Sequence, residues 1–294
     1  MPVQRNAIDP NIVILAGGIS SRMRKSAASS AGADGFLRHE AMEKPKSMMP
    51  VGKEPKPFLD YLLDNIARAG YRNVVIVVGE RDTTIRDYYQ QQRGSRQFSD
   101  LSISYAVQDI PQGREKPLGT ADALLQALKT KPSWKNQKLT VCNSDNLYST
   151  KVLKMLLDDE HGNAMIDYDR EAFRFDKDRI AQFAVIKKDE EGFLVDILEK
   201  PTHAEISQAA DRSGRIGVSM NIFRFSFDHI YPFLETVPFH PVRQEKELPT
   251  AAAMMVHRFP RSLVAIPVSE HVPDLTLLTD VNSVGSYVNG ESSG

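Results

Sequence analysis

The stretch that most constrains the fold of this chain is an apolar run, Ile12-Val13-Ile14-Leu15-Ala16, which stops at Gly17-Gly18 and continues as Ser20-Ser21-Arg22-Met23. A short run rich in β-branched residues with no polar alternation reads as a strand covered on both faces. The two glycines that close it predict a tight loop in which missing Cβ atoms let the backbone approach a ligand. Such a loop suits phosphate: successive N–H groups can converge on an anion, the hydroxyls of Ser20 and Ser21 add donors, and Arg22 supplies a charged fork. An ordinary strand-to-loop turn with a solvated arginine has the same appearance, so this stretch alone does not decide the function.

Further along, Val74-Val75-Ile76-Val77-Val78-Gly79 repeats the buried-strand pattern, with strands near Ile103 to Val107 and Leu139 to Cys142. Helical patterns alternate with them, over Phe58 to Ala69, about Thr83 to Gln91, and from Gly119-Thr120 through Leu128. Alternation of this kind predicts an α/β fold, a doubly wound, mostly parallel, Rossmann-like sheet with helices on both faces. Ligands of such sheets bind beyond the carboxyl ends of the strands, where Gly17 to Arg22, Gln108 and Asn143 to Asn146 fall. Ser26 to Gly35, rich in Ala, Ser and Gly, is expected to be a flexible excursion. From about Ala164 the runs shorten, at Gln182 to Ile186, Phe193 to Leu198 and Gly217 to Phe225, which predicts an antiparallel or mixed extension walling a second pocket. Helices at Phe227 to Leu234 and Leu248 to His257, a strand at Leu263 to Pro267 and a helix from Asp280 to Val288 follow, with a frayed tail from Gly290 to Gly294. We read a single domain over residues 8–290, in two halves, 8–160 and 161–290.

Composition narrows the partners. Lys plus Arg number 37 against 38 Asp plus Glu, so charge gives no case for a nucleic-acid or membrane partner and the substrate is expected to be small. The single cysteine, Cys142, can form no internal disulfide and reads as a small core residue. There is no long uninterrupted apolar span and no signal-like start, so a cytoplasmic protein is the expectation. The seven histidines show no metal-ligand spacing.

Five motifs agree in order and spacing, and together they resemble the sugar-1-phosphate nucleotidylyltransferases, the nucleoside-diphosphate-sugar pyrophosphorylases. Leu15-Ala16-Gly17-Gly18-Ile19-Ser20-Ser21-Arg22-Met23 is similar to the family's nucleotide loop, Leu-Ala-Gly-Gly-x-Gly-Thr/Ser-Arg-Leu/Met, and Pro45-Lys46-Ser47-Met48-Met49-Pro50-Val51 to its lysine motif. Leu118-Gly119-Thr120-Ala121 resembles the base-contact loop, Ser144-Asp145-Asn146 the metal-binding aspartate, and Ile197-Leu198-Glu199-Lys200-Pro201 the sugar-phosphate motif. Four features depart from the pattern. Ser20 stands where the family usually has glycine, the interval from Arg22 to Lys46 is longer than usual, no Pro-Leu-Thr follows the loop, and the closing motif is Val272-Pro273-Asp274-Leu275-Thr276 with Asp280 beyond it.

The resemblance implies an enzyme that joins a nucleoside triphosphate to a hexose 1-phosphate, giving a nucleoside diphosphate sugar and pyrophosphate. Such an in-line displacement asks the protein chiefly to position anions and neutralise charge. On this reading Arg22 holds the triphosphate tail, Lys46 the α-phosphate region and Lys200 the sugar phosphate. Leu15, Ala16, Gly17, Gly18, Ser20 and Ser21 cradle the nucleotide, Gln108, Gly119 and Thr120 meet the base, and Glu199 and Asn221 face the sugar in the second half. The cofactor implied is Mg²⁺, which takes one or two protein carboxylates plus phosphate oxygens: Asp145 first, Asp274 second, with Asp280 in reserve. Two alternatives stay open, a molybdenum-cofactor-type nucleotidyltransferase and a non-catalytic nucleotide-sugar sensor or assembly subunit. The base, the sugar and homo-oligomer formation are also left open.

Overall fold

The computed structural model describes residues 9–30, 34–92 and 98–291. The chain begins with β1 (Asn11–Leu15), α1 (Ser21–Ser29) and α2 (Gly35–Glu43), then a 3-10 turn at Lys46–Met48 and a small ladder of β2 (Pro50–Val51) with β3 (Lys56–Pro57). Next come α3 (Phe58–Ala69), β4 (Asn73–Gly79), α4 (Thr84–Gln91), β5 (Ser102–Gln108), α5 (Thr120–Thr130), β6 (Lys138–Asn143) and α6 (Thr150–Asp158). The second half runs β7 (Ala164–Asp169), α7 (Lys177–Ile180), β8 (Val185–Lys188), β9 (Leu194–Leu198), α8 (His203–Gln208), β10 (Gly217–Val218) and β11 (Phe223–Ser226). It closes with α9 (Phe227–Thr236), α10 (Leu248–Arg258), β12 (Val264–Val268) and α11 (Asp280–Val288).

All five residues of β1 are buried, as the unbroken apolar run requires. It lies between β4 and β6, parallel to both, with Ile14 opposite Ile76 and Cys142, and β5 adds a further parallel strand beyond β4. Successive side chains of a strand face opposite ways, and the sheet has a core on each side. Ile12, Ile14, Ile76 and Val78 pack with Met23 of α1, Leu62 and Ile66 of α3, Leu156 of α6 and Val284 of α11. Val13, Leu15, Val75 and Val77 pack with Leu124 and Leu128 of α5, Ile230 of α9 and Met255 of α10. At roughly 1.5–3 kcal/mol for each large aliphatic side chain fully buried, these two cores hold the sheet rigid under the loops at its carboxyl edge. Cys142 is fully buried among them, and burial pushes its thiol pKa up.

Sheet order is β5-β4-β1-β6-β11-β7-β10-β8-β9, with β12 parallel to β7 on its other edge. The α/β class and Rossmann-like sheet expected from the sequence are present, and the second half is the mixed extension. The run Gly217 to Phe225 is two strands, not one. β10 and β11 both lie antiparallel to β7, but Val218 is opposite Tyr168 while Phe223 is opposite Met165. Four residues, Ser219 to Ile222, therefore face two, and the surplus is pushed out of the ladder. Likewise Gln182 to Ile186 is strand only from Val185, because Lys177–Ile180 coils into the short α7.

Ser26 to Gly35 differs most from expectation. Ser26 to Ser29 completes α1, because Met23 and Ala27, one turn apart, both enter the core. Gly35 opens α2, whose N-terminus is capped by the Asp34 carboxylate accepting from the Phe36 and Leu37 N–H groups at 2.7 and 3.3 Å. Residues 31–33 lie outside the described residues. At the far end Gly290 and Glu291 are tied back by N–H bonds to Tyr287 and Ser286, and Glu291 pairs with Lys53 at 2.7 Å; residues 292–294 lie outside the description. No helix among the described residues is long and apolar enough to cross a membrane.

Candidate active site

A cavity of about 1030 Å³ opens along the carboxyl edge of β1, β5 and β6 and runs on toward β9 and the break between β10 and β11. Every candidate site residue named from the sequence lines it. Leu15, Ala16, Gly17, Gly18, Ser20, Ser21 and Arg22 come from β1 and its loop, Lys46 from the 3-10 turn, and Gln108, Gly119 and Thr120 from β5 and the start of α5. Asp145 follows β6, Glu199 and Lys200 follow β9, Asn221 lies in the strand break, and Asp274 precedes α11.

The loop that follows β1 is built against its neighbours. Ser20, where the resembled family has glycine, sits in the left-handed region at φ 55° and ψ 31°. Its hydroxyl accepts the Lys46 N–H at 3.1 Å. The serine thus carries strain of about 1 kcal/mol and offsets it by tying the loop to the lysine motif. Gly17 packs on Gln108, whose Oε1 would lie 3.0 Å from an added Cβ, whereas Gly18 has open space above it. Arg22, on the first turn of α1, is exposed at the mouth.

Gln108 is 2% exposed, and its amide nitrogen is committed to the Gly119 carbonyl at 2.9 Å and the Asp122 carboxylate at 2.8 Å. Two acceptors fix the amide's orientation, leaving the side-chain oxygen as the group turned toward Gly17 and the cavity. Thr120 spends its hydroxyl on the Leu248 N–H at 2.9 Å, the first turn of α10. Gly119, at φ 110°, lies so close to Lys246 that an added Cβ would stand 2.5 Å from its carbonyl oxygen. Backbone bonds from Ala121 N–H to Lys246 and from Lys246 N–H to Leu118, at 2.9 and 2.5 Å, zip this loop to the segment before α10.

The metal candidates are brought together by main chain. Asn146 and Asp274 form an antiparallel bridge, flanked by bonds from the Leu275 N–H to the Asp145 carbonyl at 2.8 Å and from the Leu147 N–H to the Pro273 carbonyl at 2.9 Å. Asp145 is ion-paired with Lys46. Asp274 accepts from Thr276 Oγ1 at 2.9 Å and pairs with Arg179 at 2.6 Å. Burial first, and then the neighbouring negative charge of Asp145, raise the pKa of Asp274 above the usual carboxylate range. Two carboxylates that repel each other at a cavity edge fit a divalent cation that also takes phosphate oxygens. Among the described residues no group of three or more Cys, His, Asp or Glu could hold a metal by itself. Asp280, the reserve candidate, is already engaged: it accepts the Thr276 and Leu277 N–H groups at 2.8 and 2.7 Å and Arg179 at 2.7 Å, which makes it the anchor of the turn.

On the far side Glu199 pairs with Arg243 at 3.3 Å, and Arg243 is held again by Glu247 at 2.6 Å. The break at Ser219 to Ile222 is pinned by the Tyr148 hydroxyl donating to the Met220 carbonyl at 2.6 Å. Asn221, at φ 54°, leaves its buried Oδ1 without a protein donor. Ser20, Asn221 and Lys200, at φ 48°, are three of the six non-glycine left-handed residues among the described residues, and all three line the cavity. Such strain concentrates where ligands are handled.

Sequence reasoning missed Arg179, Arg243, Lys116 and Glu245, which also line the cavity. They stand in Lys177-Asp178-Arg179, in Arg243-Gln244-Glu245-Lys246-Glu247 and beside Pro117, where no spacing in the sequence distinguishes them from ordinary surface charge.

Fold and site together define an α/β protein with a cavity at its strand ends lined by Arg22, Lys46, Lys200, Asp145 and Asp274. The chain belongs to the nucleotidyl transferase family, whose profile matches residues 37–228. The nucleotide loop and Asp274 lie outside that match, so their place beside Lys46 and Asp145 rests on the structure. Among curated proteins it is similar to the D-glycero-alpha-D-manno-heptose 1-phosphate guanylyltransferase of Campylobacter jejuni, 22% identical over 192 residues that cover 64% of this chain and 67% of that one. The enzyme of the same name from Aneurinibacillus thermoaerophilus is 27% identical over 49% of each chain. The glucose-1-phosphate adenylyltransferase of Paraburkholderia phymatum is 24% identical over 60% of this chain and 42% of its own, so two of these three matches span less than half of the relative. A UDP-glucose pyrophosphorylase solved with UDP-glucose shares the fold at TM-score 0.67 and 16% identity, over 96% of this chain and 99% of that one. The likeness to sugar-1-phosphate nucleotidylyltransferases drawn from the motifs is borne out.

Proposed function

We propose that the protein transfers a nucleoside monophosphate from a nucleoside triphosphate to a sugar 1-phosphate. An oxygen of the sugar phosphate forms a bond to the α-phosphorus, the bond to the bridging oxygen breaks, and pyrophosphate leaves with the electron pair. The observation that carries this reading is the meeting, in one cavity, of cations from three distant segments, Arg22, Lys46 and Lys200, with the carboxylates of Asp145 and Asp274.

Arg22 and the N–H groups at Gly17 and Gly18 grip the triphosphate, and Lys46 reaches the α-phosphate. The open space above Gly18 supports a close approach of phosphate there. Gln108 presents its oxygen, and the Gly119 loop its backbone, to the base. Lys200 holds the sugar phosphate while Glu199 and the unpartnered Oδ1 of Asn221 meet sugar hydroxyls. Asp145 and Asp274 would hold Mg²⁺, which when bound neutralises phosphate charge and polarises the α-phosphoryl group. The relatives' names divide between guanylyl and adenylyl transfer, so the base is assigned to this chain's own loop. We place the reaction in the cytoplasm, where nucleoside triphosphates are made.

The test is a grid of nucleoside triphosphates against hexose and heptose 1-phosphates with Mg²⁺ and inorganic pyrophosphatase, read as phosphate release. One pair should dominate. Folded protein with no release anywhere on the grid would overturn the proposal in favour of a non-catalytic role.

A further inference from the structure

Both carboxylates of the candidate metal pair carry an internal cation, and the two cations are held differently. The Lys46 ammonium is ion-paired with Asp145. Arg179, on α7, divides its fork. Nη1 donates to Asp280 Oδ1 at 2.7 Å, Nη2 donates to Asp274 Oδ2 at 2.6 Å and at longer range to Asp280 Oδ2 at 3.2 Å and the Asp274 carbonyl at 3.3 Å, and the guanidinium lies over the Phe175 ring at 4.3 Å. Asp280 does not need Asp274 to keep its place, because the Thr276 and Leu277 N–H groups already hold it. Arg179 therefore holds a structural anchor with both nitrogens of its fork, and with one of them it also holds, at shorter range, a carboxylate that stands beside Asp145. It also lines the cavity, with a side chain 20% exposed.

A cation entering between Asp145 and Asp274 meets Nη2 of Arg179 on Asp274 Oδ2. Displacing Nη2 from Asp274 Oδ2 breaks its shortest charge-assisted hydrogen bond and leaves it only the longer ones to Asp280 Oδ2 and the Asp274 carbonyl, so an anionic acceptor in the cavity is the partner that restores the loss. A bare divalent cation supplies none, whereas one that arrives with a triphosphate brings anionic oxygens. We propose that Arg179 is the resident counter-ion of Asp274, displaced when cation and triphosphate enter together, and that it couples the binding of the two. This inference rests on the reading of Asp145 and Asp274 as the cation's ligands. Arg179 is thus a positioning residue in the resting protein and a phosphate donor once released, pivoting on Asp280 and Phe175. By linkage, what the triphosphate does for the cation the cation does for the triphosphate.

The test measures Mn²⁺ binding to the full chain by electron paramagnetic resonance, without nucleotide and with ATP, GTP, CTP or UTP in turn, and no sugar phosphate. Wild type is expected to bind bare Mn²⁺ weakly and to gain strongly with its preferred triphosphate. Arg179→Met should bind bare Mn²⁺ about ten-fold tighter or more, as expected for removing one charge-assisted competitor, and lose most of the gain from triphosphate. Arg179→Lys, which keeps a charge for Asp280 but cannot span both carboxylates, should fall between and guards against a folding defect in the methionine variant. Bare Mn²⁺ affinity equal to wild type in whichever of these variants is folded overturns the inference. Asp274→Asn separates this from the underlying reading: it should abolish Mn²⁺ binding in the presence of triphosphate. Wild-type Mn²⁺ binding by Asp274→Asn refutes the ligand assignment itself, whereas its loss alongside unresponsive Arg179 variants refutes only the role of Arg179.

Discussion

Replacing Gly119 by alanine should damage stability and nucleotide binding together, and the structure says by how much. At φ 110° and ψ −175° the residue occupies backbone space nearly reserved for glycine, so a side chain there is strained by about 1–3 kcal/mol. The new Cβ would also stand 2.5 Å from the carbonyl oxygen and 2.9 Å from the nitrogen of Lys246, contacts that only backbone movement can relieve. That movement opens the bonds Ala121 N–H to Lys246 and Lys246 N–H to Leu118, each worth about 0.5–1.5 kcal/mol net. The sum, about 2–6 kcal/mol, corresponds to a fall in Tm of about 3–10 °C for a chain of this size. Because the Gly119 carbonyl also orients Gln108, KM for the triphosphate should rise with it. Differential scanning calorimetry and initial-rate kinetics read the two effects, and Gly18→Ala is the control: with open space and no left-handed backbone, it should melt like wild type yet raise the triphosphate KM. A Gly119→Ala protein that melts within about 2 °C of wild type with unchanged KM would refute the reasoning.

Asp145→Asn should lower kcat by about a hundred-fold or more, the scale for removing one electrostatic contributor to a transition state, with thermal melting near wild type; near-normal Mg²⁺-dependent turnover would remove Asp145 from the metal site. Lys200→Ala should raise KM for the sugar phosphate by one to two decades, as loss of a charged contact worth roughly 1.5–3 kcal/mol implies, and spare triphosphate affinity measured calorimetrically without sugar. Arg22→Ala should do the reverse, and equal triphosphate losses in both would erase the two-ended site. His271, edge-on to the Phe175 ring at 4.8 Å and accepting the Arg174 N–H, has its pKa lowered from 6.5 to about 4, by burial first and then by Arg174 and Arg179. Between those values the unfolded chain binds a proton that the folded one does not, so stability should fall as pH drops from about 6.5 to about 4. His271→Phe should flatten that slope in urea unfolding at pH 5 and 7, and an unchanged slope would locate the titrating group elsewhere.

Legibility in the sequence followed how local the cause was. β1 and β4 could be read because burial on both faces leaves an unbroken apolar run, and α3 because Phe58, Leu62, Ile66 and Ala69 repeat at helical spacing before a Gly70 cap. The break in the last antiparallel line was invisible: Gly217 to Phe225 looks like one strand, and only pairing with β7 shows two residues too many. In α1 a run of serines and alanines resembled a linker, yet Ala27 packs in the core and the hydroxyls bond back to the helix, as Ser29 and Ser30 do to Ser26. Motif residues such as Lys46 and Glu199 carry their neighbours' signature. Arg179 and Arg243 do not, since their meaning comes from the carboxylates that tertiary structure sets beside them.

The surplus at Ser219 to Ile222 also governs how this wall of the cavity can change. Val218, Met220 and Ile222 belong to the core on one side of the sheet, and Phe223 and Phe225, stacked at 5.3 Å, to the core on the other. Because the excess is two residues, the alternation resumes in phase after the interruption. A one-residue insertion or deletion here would turn both phenylalanines out of their core, while a two-residue change leaves every flanking side chain on its own face. Length variation in this wall of the cavity is therefore quantised in pairs, and descendants of this chain can alter that wall by substitution or by even steps while keeping the sheet intact.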